Sequence, residues 1–189
     1  NRQVNSIYFD DVDFSSVRDN LAGISQRNKL RLRWYGHQEN SLPFLEVKTK
    51  NGRLGCKNSY PIKSITGNLS ELNIDKIASK CIKDLAEHNI VFDEYLVPTL
   101  QVNYEREYYE THNGIRITID QHINFSDLYL HTMFAEEKPI HYPFNVMEVK
   151  FDPSMKKEVS KLIKPLHTTP TRHSKYLVGM AIINNAVYI

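Results

Sequence analysis

Read with period two, this chain repeats one design, an apolar face alternating with a charged one. Lys29, Arg31 and Arg33 alternate with Leu30, Leu32 and Trp34, which predicts a strand with one buried face. Glu46, Lys48 and Lys50 alternate with Leu45, Val47 and Thr49. Arg116, Thr118 and Asp120 alternate with Ile115, Ile117 and Ile119, Glu148 and Lys150 with Met147 and Val149, and Val102 to Arg106 carries a weaker version. If these strands share a sheet, their charged faces converge. Repulsion among the basic groups then calls for something negative, and a polyanion is the natural candidate.

Between these segments lie turn and helix signals. Val4 to Phe9 predicts a first strand running into Asp10 and Asp11, which read as a loop cap at a strand end rather than a metal pair. Ser15 or Ser16 caps a short helix through Leu21, ended by Gly23, and His37 to Ser41 is a polar loop. Asn51-Gly52 predicts a two-residue hairpin turn, setting Lys50 opposite Arg53, Lys48 opposite Gly55 and Glu46 opposite Lys57. That register puts Lys57 on the charged face. From Asn73 the period changes, and Ile77, Ala78, Cys81, Ile82, Leu85 and Ala86 mark one face of a helix packed outside the sheet.

Pro98 to Thr111 and Ile115 to Phe125 read as long strands joined at His112-Asn113-Gly114. A two-residue turn there would put Arg106 and Arg116 on opposite faces. A three-residue loop with Gly114 left-handed puts them on the same face, and that loop is the expected one. Residues 126 to 142 give no clear period. Phe144 to Phe151 is a strand, Lys156 to Lys164 a helix with Val159, Leu162 and Ile163 inward, and Ser174 caps a last helix through Ile183. Tyr108, Tyr109, Phe125 and Tyr129 are expected in wall packing.

The sum is an α+β fold of mostly antiparallel strands with several helices. A charged face buried dry is costly. Closing the sheet into an antiparallel β-barrel tunnel, helices packed on the outside, would give that face a wet bore. The ordinary alternative is an open sheet with its charges in solvent.

At 189 residues the chain reads as a single domain over 1–189, long enough for a real core. Its net charge of +2 excludes a globally basic nucleic-acid binder, yet basic groups dominate the alternating faces, so the remaining surface is net acidic. Two cysteines without metal-ligand spacing point to free thiols in a reducing, cytoplasmic setting. No apolar run reaches transmembrane length, no histidine pair has ligand spacing, and no glycine-rich phosphate loop is present.

Arginines on one strand and lysines on the next can clamp successive phosphates. Phosphoryl transfer needs such positioning and charge neutralisation more than covalent chemistry. Glu148, among these cations, has two readings that the residues leave open. It balances a lysine, or it holds a divalent cation that bridges phosphate oxygens.

Val4 to Asp10, Lys29 to Gly36, Phe44 to Lys50, Tyr104-Glu105-Arg106, Arg116 to Asp120, Met147 to Lys150 and Ser174-Lys175-Tyr176 occur in that order. With them the chain resembles the polyphosphate polymerase domain of the vacuolar transporter chaperone (VTC) family, one of the triphosphate tunnel metalloenzymes, or CYTH superfamily. The resemblance implies a tunnel barrel whose basic lining threads polyphosphate, moves the terminal phosphoryl group of ATP onto the chain and uses Mn²⁺ or Mg²⁺. Arg31, Arg33, Lys48, Arg106 and Arg116 would then bind phosphates at the transfer centre. Tyr104 would hydrogen-bond a phosphate oxygen, Glu148 would hold the metal and Lys150 would sit beside it. Lys29, Lys50, Lys57, Arg172, Ser174 and Lys175 would line the path of the chain. Lys50 stands where eukaryotic members tend to have histidine and Arg172 where lysine is usual, so charge is kept. Tunnel enzymes usually begin with a strand of alternating Glu and Lys or Arg upstream of the Val4 segment, and the resemblance implies a domain short of that strand. Hydrolysis of a triphosphate in the same tunnel, and phosphate binding without turnover, are the alternatives. The sequence says nothing of oligomeric state.

Overall fold

The computed structural model describes residues 1–36, 42–52, 54–65, 73–92, 95–129, 131 and 138–185. The polar loop expected at His37 to Ser41 lies outside them, as does Arg53. The elements run β1 (Arg2–Asp10), α1 (Ser15–Leu21), β2 (Gln26–Tyr35), β3 (Phe44–Asn51), β4 (Leu54–Pro61), α2 (Ile74–Glu87), β5 (Val97–Glu110), β6 (Arg116–Asp127), β7 (Ile140–His141), β8 (Val146–Lys150), α3 (Lys156–Ile163) and α4 (Lys175–Ile183). The strands form one eight-stranded sheet in the order β4-β3-β2-β1-β5-β6-β7, with β8 also pairing β6. Every pairing is antiparallel.

The fold is therefore α+β, but the sheet is open. Among the described residues no ladder joins its two ends, so the expected closed barrel gives way to an open sheet. The face expected to be wet is also partly dry. Leu100, Val102, Phe125 and Tyr8 lie on it and would be poorly placed in a water-filled bore, and α4 covers them with Tyr176 and Met180. Gly179 makes that approach possible, since a Cβ there would meet Leu100 Cδ2 at 2.6 Å and Phe125 Cδ1 at 2.7 Å.

The opposite face carries the larger core. Ile7, Phe9, Leu30, Leu32, Trp34, Leu45 and Val47 pack against Ile74, Ile77, Ala78, Cys81 and Leu85 of α2. Asn73 caps α2 by accepting from the Asp75 N–H at 2.8 Å. At α1 the expected Ser15 or Ser16 cap is not formed: both serines lie inside the first turn after Phe14, and Asp11 accepts from the Ser15 N–H and Asp10 from the Ser16 N–H, both at 2.9 Å, so the acidic pair at the strand end does the capping. Leu162 was expected inward on α3, yet it is exposed, and Val159 is that helix's buried contact.

Two turns decide which side chains share a face. Thr111 pairs Ile115 across His112-Asn113-Gly114, with Gly114 at φ +86°, so the loop has three residues and Arg106 faces the same way as Arg116. The β3–β4 hairpin is shifted by two residues from the expected register, with Lys50 opposite Gly55 and Lys48 opposite Lys57. An even shift preserves the face while changing each partner, so Lys57 stays with Lys48 and Lys50.

Candidate functional site: a basic sheet face

The registers place Lys57 (β4), Glu46, Lys48 and Lys50 (β3), Lys29, Arg31 and Arg33 (β2), Tyr104 and Arg106 (β5), Arg116 (β6), and Glu148 and Lys150 (β8) on one face. From β4 to β8 this face crosses six strand spacings, about 29 Å at ~4.8 Å each. Ser174 caps α4 by accepting from the Leu177 N–H at 3.5 Å, which sets Lys175 on the first turn, over the same face. Arg172 lies outside this grouping, exposed and without an ion pair among the described residues.

Two buried carboxylates organise the centre. Glu46 is 2% exposed and takes Arg31 on Oε2 and Lys57 Nζ on Oε1 at 2.7 Å, with Arg33 Nη1 3.5 Å away. Burial alone would raise its carboxyl, but Arg31, Arg33 and Lys57 outweigh that and hold it at about 2. Asp120, equally buried, accepts from Arg106 through both oxygens, at 2.5 and 2.7 Å, and from Lys175. Burial pushes this carboxyl upward too, and the bonds from Arg106 and Lys175 bring it below the ordinary range.

Tyr104 joins the two clusters. Its hydroxyl accepts from Arg33 Nη2 at 3.4 Å, while Arg106 and Lys175 lie over its ring at 5.2 and 4.8 Å. Burial pushes its phenol up to about 12 despite Arg33 and Arg106, so it stays a neutral donor. Arg33 also donates to Ser6 Oγ at 3.2 Å, and Arg31 to Tyr8 Oη at 3.2 Å. Burial would raise the Tyr8 hydroxyl, yet Arg31 and Arg33 bring it below its ordinary value.

Away from the centre, Lys29, Lys48 and Lys50 have no carboxylate at ion-pair distance among the described residues. Lys29, Lys48 and Lys57 stand directly opposite one another on three neighbouring strands, and Arg27 faces Lys50. Like charges so placed destabilise a sheet. Burial, with Arg27 and Lys48 nearby, pushes Lys29 down to about 8. At the β8 side Lys150 lies 3.4 Å from Glu148, both about half exposed, while Arg116 is exposed with no carboxylate at ion-pair distance among the described residues.

Sequence reasoning gave no role to Glu46, Asp120, Ser6, Tyr8 or Arg2. All five sit at the same alternate positions as the basic groups, and extending the period-two reading through β1 would have placed them there. Arg2 lies opposite Arg106 and over the Tyr35 ring at 4.1 Å. Tyr108 and Tyr109, expected in wall packing, are each 53% exposed near the far end of the β5–β6 hairpin, whereas Phe125 is buried under α4.

The face thus carries basic groups on both sides of a dry stretch under α4, with buried carboxylates at Glu46 and Asp120. The chain matches the VTC domain family over residues 1–184 and belongs to that family, which lies in the tunnel-fold (CYTH-like) superfamily. A search of curated proteins finds no match. Among solved structures, "Structure of PH1819 protein from Pyrococcus Horikoshii OT3" is similar over 97% of this chain and 85% of that chain, with 14% identity and a TM-score of 0.50. That likeness concerns the fold alone.

Proposed function

We propose that this domain is an ATP-dependent polyphosphate polymerase whose basic face holds both nucleotide and growing chain. The observation that carries the reading is the shared face itself. Arginines and lysines from six strands and one helix converge on it, in a family associated with enzymatic polyphosphate metabolism.

An ionised terminal phosphate oxygen of the chain attacks the γ-phosphorus of ATP. A new P–O–P bond forms, the bond from the γ-phosphorus to the bridging oxygen breaks, and ADP leaves with the electron pair. The acceptor needs no general base, because the second ionisation of a phosphate lies near ~6. What the protein supplies is position and positive charge. Arg31 and Arg33, oriented by Glu46, and Arg106, oriented by Asp120, face the transferring group with their geometry set before substrate arrives. Lys48 and Arg116 add charge from either side, Tyr104 donates a neutral hydrogen bond, Lys150 stands beside Glu148, and Lys29, Lys50, Lys57, Ser174 and Lys175 guide the chain.

Among the described residues no group of three His, Cys, Asp or Glu could hold a metal alone. Glu148 offers one half-exposed carboxylate. That suits Mg²⁺ or Mn²⁺, since Mg²⁺ is commonly held by one or two carboxylates with phosphate oxygens and water filling the other positions. When bound, the ion would neutralise phosphate charge.

The test is purified protein with ATP and Mn²⁺ or Mg²⁺, following both chain length and free phosphate. Growth of long-chain phosphate with matching ADP supports the proposal. Free phosphate without chain growth indicates a triphosphatase on the same face. The open sheet favours a further reading, a polyphosphate-binding module, and binding with neither product would establish it. No helix among the described residues is long and apolar enough to cross a membrane.

A further inference from the structure

Lys29, Lys48 and Lys57 form one row across β2, β3 and β4, and Arg27 with Lys50 forms the row beside it on β2 and β3. Residues paired in this way hold their Cβ atoms only about 5 Å apart. Lys57 is neutralised by Glu46 at 2.7 Å, but no ion pair forms at Lys29, Lys48 or Lys50 among the described residues. Asp10, at the end of β1, opposes their repulsion only in part, since its oxygens already accept from the Asp11 and Ser16 N–H groups and the Tyr176 hydroxyl. Lys29 is half-buried, whereas Lys48 and Lys57 are exposed. Burial and the surrounding positive charge both disfavour its ammonium form and hold it at about 8. An amine held there is neutral about half the time at pH 8, and the neutral amine is the nucleophile.

We propose that Lys29 is a covalent modification site, acylated by acyl phosphates that set their phosphate group on Lys48, Lys50 and Arg27. The neutral Nζ attacks the carbonyl carbon and a C–N amide bond forms. The C–O bond to phosphate breaks, phosphate leaves with the electron pair, and the proton lost by the amine ends on that phosphate. Two features of the rows favour this class of electrophile. Cations without carboxylate partners attract the phosphate group, which brings the carbonyl beside Lys29. The same cations stabilise the negative charge that develops on the departing phosphate. A neutral acylating agent gains neither advantage. Acylation removes the charge of Lys29, relieves the repulsion within its row and leaves a bound polyanion one cation fewer. The site requires only that these rows attract a phosphate group, so it stands apart from the polymerase reading.

The test incubates the full chain with acetyl phosphate at pH 8 and follows acetylation of each lysine over time by mass spectrometry. Lys29 should be modified about tenfold faster than Lys76 and Lys83 on the exposed side of α2. An amine at about 8 is neutral about a hundredfold more often at this pH than one at the ordinary ~10.4, and its lower basicity returns part of that gain. With N-acetoxysuccinimide, a neutral reagent, the preference for Lys29 should shrink severalfold. Lys48→Gln should slow Lys29 more toward acetyl phosphate than toward the neutral reagent. Modification of Lys29 no faster than Lys76 and Lys83, or of Lys48 in its place, would overturn the assignment. An equal preference with both reagents would show a reactive amine with no phosphate docking beside it, and would overturn the assignment as well.

Discussion

Arg106 meets Asp120 side-on across the β5–β6 pair, its Nε 2.5 Å from Oδ1 and its Nη2 2.7 Å from Oδ2. Lys175 completes the carboxylate from the first turn of α4, so a strand pair and a helix far apart in sequence are pinned at one buried oxygen pair. Removing one partner of such a site strands the others, which typically costs about 3–5 kcal/mol. Asp120→Asn should therefore lower unfolding free energy by about 3 kcal/mol in urea titrations at pH 7. Asp120→Glu, which keeps the charge, should lose less.

Glu46 makes a second, pH-dependent prediction. Its carboxyl lies at about 2 in the folded protein against an ordinary 4.5. A depressed carboxyl stabilises the fold fully above about pH 4.5, and that contribution is lost as pH falls toward about 2. Unfolding measured at pH 7, 4 and 3 should show stability dropping across this window. In Glu46→Gln the protein should be weaker at pH 7 and its acid slope shallower; an unchanged slope would mean that other groups govern acid unfolding.

Much of the face was legible because period two is a local property. Once Gly114 fixed the loop length, Arg106 and Arg116 had to share a side, and Lys57 kept its face even though the hairpin register moved by two. What the sequence could not show was neutralisation at a distance. Glu46 and Asp120 are single letters in alternating strands, and that they gather Arg31, Arg33 and Lys57, or Arg106 and Lys175, depends on tertiary placement. The closed barrel failed for a related reason. Alternation says that Leu100, Val102 and Phe125 lie on the charged side, but only the docking of α4 shows that this half of the face is dry.

Lys29, held at about 8 by burial and by Arg27 and Lys48, should report polyanion binding through protons. Added negative charge raises its affinity for a proton, so binding at pH 8 to 9 should take protons up, and affinity should fall as pH rises through 8. Calorimetry in buffers of different ionisation enthalpy measures the uptake. Lys29→Gln should remove most of it.

Gly179 tests the coupling of helix to face. A methyl there would overlap Leu100 and Phe125 and push α4 outward, and overpacking of this kind typically costs about 1–3 kcal/mol. Gly179→Ala should lower the thermal midpoint. It should also weaken polyphosphate binding, because Lys175 would leave Asp120; full binding with reduced stability would show that Lys175 is dispensable.

Lysine acetylation footprinting with and without long-chain polyphosphate, read by mass spectrometry, asks where the anion lies. Lys29, Lys48, Lys57 and Lys150 should become protected, while Lys76 and Lys83 on the exposed side of α2 and Lys161 on α3 should label at unchanged rates. Protection spread equally over both sets, or confined to the helices, would contradict a polyanion seated on the sheet.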